Sequence, residues 1–253
     1  MAELNLAQAV NSALHTAMAG DDRVVVMGED VGRAGAVFRV TDGLSEAFGS
    51  ERVIDTPIAE SGIVGAAFGM AIAGMRPVAE IQFLGFAYPA YDQIVSHVGR
   101  IRNRSRGRFT APMVIRIPYG GGIGAAEHHS ESTEALFAHT PGVKVVVASR
   151  PADAKGLLLA AIEDPDPVIF FEPIRMYRAF RQEVPEGHYT SPIGEAEVLR
   201  EGSDVTIISY GSMVREALRA AELLDAETSS AEVIDVRTLT PLDTATIVAS
   251  VQK

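Results

Sequence analysis

Glu60 has the most unusual surroundings of any carboxylate in this chain. It lies in Asp55-Thr56-Pro57-Ile58-Ala59-Glu60-Ser61-Gly62-Ile63-Val64-Gly65, and no further charge follows before Arg76. One reading is plain: a carboxylate in the first turn of a helix, favoured by the helix dipole. A second is chemical. Gly62, Gly65, Ala66 and Gly69 permit close approach of backbone or ligand, while Ile58, Ile63, Val64 and Phe68 make the surroundings apolar. Desolvation in such a setting favours the neutral form of a carboxyl group, which makes a proton donor at neutral pH. The residues alone support both readings equally.

A second constellation is Gly120-Gly121-Gly122-Ile123-Gly124-Ala125-Ala126-Glu127-His128-His129-Ser130. It follows a strong strand pattern and leads into an expected helix over 131–138, with Ser130 as its cap and Glu134 downstream. In an open parallel sheet ligands sit at the carboxyl ends of strands, where this loop must be. A flexible surface loop is the bland alternative, but adjacent histidines supply groups that titrate near neutrality. Metal chelation by the pair is disfavoured, since no other ligands stand at helical or hairpin spacing. The third constellation, Glu80-Ile81-Gln82-Phe83-Leu84-Gly85-Phe86-Ala87-Tyr88, also ends a strand. Aromatics there are more often core than ligand platform, and Phe86, just past a glycine, is the one placed to face a cleft. The Walker loop, the Gly-x-Gly-x-x-Gly turn, the Gly-x-Ser-x-Gly elbow and the His-Glu-x-x-His helix are all missing.

The elements that must position these residues alternate. Leu6, Ala9, Val10, Ala13, Leu14, Ala17 and Met18 recur at helical steps up to Gly20, and Arg23-Val24-Val25-Val26-Met27 then reads as a strand buried on both faces. Further strands are predicted at 53–54, 78–81, 113–117, 144–147 and 168–171, with helices near 42–48, 60–74, 88–104, 131–138 and 151–163. Strands separated by helix-length segments imply an α/β fold, a mainly parallel sheet with helices on both faces, over residues 1–171. Residues 172–194 mix Arg175, Arg178 and Arg181 with Pro173, Pro185 and Pro192, and read as a linker on the surface. From 195 to 253 a smaller α/β unit follows, with strands at 204–211 and 232–236 and helices near 213–225 and from 242. Two strands make a thin sheet, so this unit is expected to be incomplete or completed by another chain.

Composition narrows the classes. A hydrophobic fraction of 47% supports a real core, and a formal charge of -11 disfavours nucleic acid and anionic membrane surfaces as partners. The absence of Cys excludes disulfides and thiolate catalysis, and few aromatics without Trp argue against a sugar cleft or a base-stacking platform. The start Met1-Ala2-Glu3-Leu4-Asn5 is not a secretory signal, and the apolar stretch 63–75 is short and broken by glycines. A cytoplasmic enzyme or subunit is the default.

Taken in order, these segments resemble the beta-subunit family of the thiamine-diphosphate-dependent 2-oxo acid dehydrogenases. The likeness starts near Gly28-Glu29-Asp30-Val31-Gly32 and is dense at Asp55–Glu60, Arg76–Phe83, His129–Ser132 and Phe137–Gly142, with Arg237–Asp243 in the second unit. The resemblance implies that Glu60 hydrogen-bonds N1′ of the cofactor's aminopyrimidine and promotes its imino tautomer. It implies that Phe86 stacks on the pyrimidine, with Ile58 and Glu29 beside the cofactor. His129 falls on the histidine associated with acyl transfer to lipoyl groups. Met113, Ala161, Ile162, Asp164 and Asp166 fall where relatives bind a monovalent cation such as K+, largely through carbonyls, though Pro165 and Asp166 replace commoner residues.

The Gly-Asp-Gly…Asn segment that holds Mg2+ and the diphosphate is not here: Gly20-Asp21-Asp22 lacks its remaining residues. In the family it belongs to an alpha subunit, so the resemblance implies a site shared between chains, an alpha2-beta2 heterotetramer and a lipoyl acyltransferase partner. Relatives run past Lys253. His128–Ser132 with Phe137–Gly142 resembles the branched-chain enzymes more than the bacterial pyruvate enzymes, which carry Leu before the histidine, and so implies branched-chain 2-oxo acids as substrates, with pyruvate or acetoin the alternative. Outside this class stand a non-catalytic interaction subunit that keeps the fold and, last, a flavodoxin-like electron carrier.

Overall fold

The structure, a computed structural model, describes residues 1–253. The chain runs through β1 (Ala2–Leu4), α1 (Leu6–Gly20), β2 (Val24–Gly28), α2 (Leu44–Phe48), β3 (Val53–Asp55), α3 (Glu60–Ile72) and β4 (Arg76–Glu80). It continues with α4 (Tyr91–Ser96), α5 (Ile101–Arg104), β5 (Val114–Tyr119), α6 (Glu134–Ala138), β6 (Lys144–Val147), α7 (Pro151–Glu163) and β7 (Val168–Pro173). After β8 (Gln182–Val184) come β9 (Glu197–Arg200), β10 (Val205–Ser209), α8 (Met213–Ala226), β11 (Ala231–Asp235), β12 (Thr238–Thr240) and α9 (Thr244–Val251).

The large sheet has the order β12-β6-β7-β5-β4-β2-β3, and every pair in it is parallel except β12 against β6. Period-two alternation explains why its strands read as unbroken apolar runs. Val24, Val26, Val78, Val114, Val146, Val168 and Phe170 face one layer with the apolar stripes of α1 and α7. Met27, Ala79, Ile115, Ile117, Val145, Val147, Ile169 and Phe171 face the other, with α3, α4 and Phe137 of α6. The α/β fold expected from the sequence is the one observed. A capping box between Asn5 and Gln8 starts α1, and Pro151 takes the first position of α7, where its missing N–H costs nothing.

Three local expectations are corrected. Residues 88–104 form no single helix: α4 and α5 are separated at His97–Arg100, where Gly99 packs against the Pro141–Gly142 backbone. A Cβ on Gly142 would stand 2.7 Å from the Gly99 carbonyl carbon, so the tertiary contact, rather than local propensity, sets the break. The helix expected over 131–138 covers only Glu134–Ala138, and the Ser130 hydroxyl bonds to Ala125 O instead of capping it. The stretch taken as a surface linker is largely core at its start. Glu172, Ile174, Met176, Tyr177 and Val184 are buried, and β8 pairs antiparallel with β1, Ala2 opposite Val184.

The second unit has a three-stranded sheet, β10-β11-β9, because β9 adds to the two strands read from sequence. It is tied to the first through β12 and a buried polar cluster. There Ser149 Oγ donates to Asp235 Oδ1 at 3.1 Å and accepts from the Gly211 amide at 2.9 Å. Arg237 reaches Asp153 and Glu197 at 3.2 and 2.8 Å. Asp235 Oδ2 has no hydrogen-bond partner.

Candidate active site

Four of the residues singled out from sequence stand at the carboxyl ends of four neighbouring strands. Glu29 leaves β2, Glu60 opens α3 after β3, Phe86 lies in the short turn after β4, and His129 lies in the loop after β5. Strand order β5-β4-β2-β3 makes these ends adjacent, so parallel topology alone gathers residues separated by a hundred positions.

Glu29 and Glu60 form an acidic pair. Glu29 is 7% exposed, and its Oε1 has no hydrogen-bond partner, nor has the buried Thr56 Oγ1 on the neighbouring strand exit. Burial, then the charges of Glu60 and Asp30, push the Glu29 carboxyl above its ordinary range. The loop that carries Glu29 is held from beneath: Asp55 accepts hydrogen bonds from the Gly32 and Arg33 amides at 2.6 and 3.3 Å. Gln82, just past β4, reaches toward Glu29 O and Asp30 at 3.5 and 3.4 Å.

The setting of Glu60 differs from the sequence expectation. Ile63 and Val64 point into the core, whereas Gly62, Ala66, Gly69 and Ala73 lie on the open face of α3 and Ile58 is 84% exposed. A Cβ at Gly69 would meet nothing within 4 Å, and one at Gly62 only Ala59 at 3.6 Å. The close approach that these small residues permit is not made within this chain, so Glu60 is half-buried and its apolar enclosure is only half built.

Phe86 and His129 form the second pair. The His129 ring stands edge-on to Phe83 and Phe86, with centroids 4.7 and 5.2 Å away. Its Nδ1 faces the Ala126 and Glu127 carbonyl oxygens at 3.1 and 2.8 Å. Both partners are acceptors, so Nδ1 carries the proton and Nε2 is left to accept one. Ser61 Oγ bonds to Pro89 O at 2.5 Å and joins the two halves.

Beneath the site lies a group that sequence reasoning missed. Arg116, fully buried, bonds Glu172 at 2.6 and 2.8 Å and Glu80 at 2.7 Å, while the Tyr177 hydroxyl donates to Glu172 at 2.7 Å. Glu80, Arg116 and Glu172 come from three adjacent strands and tie β4, β5 and β7 together near their carboxyl ends. Burial pushes the Glu80 carboxyl up, against the pull of Arg116. A lone arginine within the apolar run of β5 was the available signal.

The five cation-candidate positions lie elsewhere. Met113 precedes β5, Ala161 and Ile162 end α7, and Asp164 and Asp166 precede β7, all at the opposite edge of the sheet. Two cationic side chains already serve the group: Arg76 donates to Ile162 O at 2.6 Å and Lys144 to Asp164 at 2.5 Å. The Met113 carbonyl accepts from the Val168 amide at 3.0 Å. Arg76 and Lys144 thus hold two acceptors of the group, and no chemical step is assigned to a cation here. A cavity of about 660 Å³ opens at the same edge between Arg102, Arg106 and Lys144, and neither Glu60 nor His129 lines it.

Comparison with known proteins bears on this geometry. Residues 2–179 match the transketolase pyrimidine-binding domain family, and residues 194–253 match the transketolase C-terminal domain family. Over all 253 residues the chain is 57% identical to the pyruvate dehydrogenase E1 component subunit beta of Acholeplasma laidlawii, covering 77% of that protein. It is 53% identical to the protein of the same description in Bacillus subtilis, covering 78% of it. The chain belongs to the beta-subunit family of the thiamine-diphosphate-dependent 2-oxo acid dehydrogenases. This family shares the transketolase fold: a solved split-gene transketolase, an inactive beta4 tetramer, superposes with a TM-score of 0.81 at 27% identity, over 99% of this chain and 77% of that one.

The relatives' names favour the pyruvate alternative over the branched-chain reading drawn from His128–Ser132 and Phe137–Gly142. His128 itself is exposed in this chain.

Proposed function

We propose that this chain is the catalytic beta subunit of a pyruvate dehydrogenase E1 component. In this reading it pairs with an alpha subunit in an alpha2-beta2 heterotetramer and uses thiamine diphosphate with Mg2+. It decarboxylates pyruvate and passes the acetyl group to the lipoyl group of an acyltransferase. The observation that carries the reading is the juxtaposition, at one sheet edge, of an acidic pair and an aromatic–histidine pair beside a helix whose outer face is bare.

The residues present fit one end of the cofactor. A half-exposed carboxyl, a buried carboxyl with an unpartnered oxygen, an aromatic side chain and the exposed Ile58 supply the polar and apolar contacts that an aminopyrimidine requires. The Gly-Asp-Gly…Asn segment that holds Mg2+ and the diphosphate in the family is not in these residues, so the proposal assigns both to the alpha subunit. When bound, thiamine diphosphate supplies the carbon nucleophile that attacks a 2-oxo acid and accepts its electrons. Glu60 holds the proton opposite N1′. Glu29 stands beside it, its carboxyl raised above the ordinary range by burial and by the charges of Glu60 and Asp30. Phe86 offers an aromatic surface, and His129 presents Nε2 toward the reacting centre for the proton handled in acyl transfer.

The experiment is turnover of the assembled tetramer on pyruvate, a branched-chain 2-oxo acid and acetoin. Pyruvate is expected to be used fastest; preference for either competitor sinks the substrate assignment. Glu60→Gln keeps the shape but cannot exchange the proton, so turnover drops by about 10²–10⁴-fold with the tetramer intact. Unchanged turnover would instead favour a non-catalytic interaction subunit.

A further inference from the structure

The glycine just before Phe86 packs against the loop that carries His129. Gly85 is buried in the turn after β4, and a Cβ there would overlap the His128 carbonyl oxygen and lie 3.0 Å from the His128 carbonyl carbon and Cα. That contact is with backbone, so no rotamer change relieves it. The loop is bent at this point: Glu127 and His128 both adopt positive φ, 27° and 65°, a region that non-glycine residues seldom enter. The bend turns the Ala126 and Glu127 carbonyls onto His129 Nδ1 and sets the imidazole edge-on to Phe83 and Phe86. The backbone seat at Gly85, the bend at 127–128 and the fixed ring form one continuous contact.

We infer that Gly85 is a positioning residue for His129. By admitting the His128 backbone it holds the bend that keeps the proton on Nδ1 and the free Nε2 toward the substrate. This rests on the role given to His129 in the proposed function. It accounts for a glycine in a turn whose own backbone does not demand one, since Gly85 is absent from the positive-φ residues. It also makes the Phe86 platform and the imidazole a single unit, because both hang on the same turn.

The test uses the assembled tetramer with Gly85→Ala, His129→Ala and the double variant. Acyl transfer to a lipoyl acceptor is expected to fall roughly tenfold or more in Gly85→Ala, since small misplacements of a catalytic group are costly. In the His129→Ala background the same change should add almost nothing, because the two losses share one cause. Peptide mapping after diethyl pyrocarbonate treatment gives a readout apart from turnover. His129 should react at least about threefold faster in Gly85→Ala, as the ring leaves its carbonyl and aromatic seat, while His15, His97, His139 and His188 keep their rates. Multiplicative losses, or unchanged His129 reactivity, overturn the inference. If His129→Ala alone is harmless, the role proposed for His129 fails, and the chemical reactivity still judges the positioning claim. Should Gly85→Ala not assemble, the exposed His128 provides a second route. His128→Gly keeps the left-handed bend and should retain acyl transfer. His128→Val, whose branched side chain disfavours that bend, should lose it. Equal activity in these two variants would overturn the proposal.

Discussion

Asp235→Asn is expected to stabilise the protein above neutral pH and to do little in acid. Asp235 is fully buried where β11 meets the turn between β6 and α7, and one carboxyl oxygen has no partner. Burial, then the charge of Asp153, push its carboxyl up to about 7 from an ordinary 3.8, despite bonds from Ser149 and the Arg237 amide and the charge of Arg150. The difference, about 7 minus 3.8, is about 3 units, or about 4 kcal/mol at about 1.36 kcal/mol per unit. The sign follows from proton counting. Between pH 3.8 and about 7 the unfolded chain has lost this proton and the folded chain retains it, so stability falls as pH rises through that window and levels off above it. Asparagine never ionises and can keep the bonds to Oδ1, although its amide NH2 replaces an oxygen that already lacks a partner, at a cost of ~1 kcal/mol or more. The net gain is then about 2–3 kcal/mol near pH 8.5 and close to nothing near pH 5. Denaturation midpoints of parent and variant, compared at the two pH values in the same assembly, read the difference directly. A variant less stable than the parent at both, or a gain that shrinks as pH rises, would refute the argument.

Two further outcomes follow from the scaffold. Arg116→Met leaves Glu80 and Glu172 as buried carboxyls without their cation, which should cost ~3–5 kcal/mol in denaturation measurements; stability equal to the parent would mean that the triad is not the clamp across β4, β5 and β7. Asp55→Ala removes the acceptor for the Gly32 and Arg33 amides and should cost about 1 kcal/mol, with faster amide exchange across residues 30–43, whereas Asp55→Asn, which keeps an acceptor, should exchange like the parent.

The six parallel strands of the large sheet were legible because a parallel strand is apolar on both faces, whereas the antiparallel β12 (Thr238–Thr240) was not read from the sequence. The helix α1 was legible by periodicity up to Gly20, and α7 was placed correctly over 151–163. What failed was non-local. The break between α4 and α5 comes from backbone contact of Gly99 with Gly142, and the burial of 172–184 depends partly on β8 pairing with the chain's first residues. No window of neighbouring residues contains either partner. The site divides in the same way. Phe86 and His129 could be picked out because each follows the end of a strand, and ends of parallel strands converge; Glu60 was picked out by its glycine-rich, apolar neighbours, and Glu29 only by the family resemblance. Arg116, Glu80 and Glu172 contribute one charge to each of three strands, and such charges become a cluster only when the strand order is known. The error over Glu60 was different in kind. Its apolar neighbours were identified correctly, but half of them face the core and the rest face outward.

That division ties the function to assembly. α3 is apolar around its whole circumference, and a helix of that character is stable in water only when both sides are covered. The sheet and α4 cover the side carrying Ile63, Val64, Ala67 and Ala71. The other side presents Gly62, Ala66, Gly69 and Ala73 at steps of four, three and four, a strip on which another backbone can lie close. Glu60 opens this same helix. On the proposed reading, the surface that covers the strip is the one that brings the rest of the active site to Glu60, so burial of α3 and enclosure of its first residue are one event. Separated chains would therefore lack activity for two coupled reasons: the cofactor has nothing to hold its charged end, and Glu60 stands in water. Loss of turnover on dilution should then follow dissociation of the tetramer, and added cofactor would restore it only by driving the chains back together.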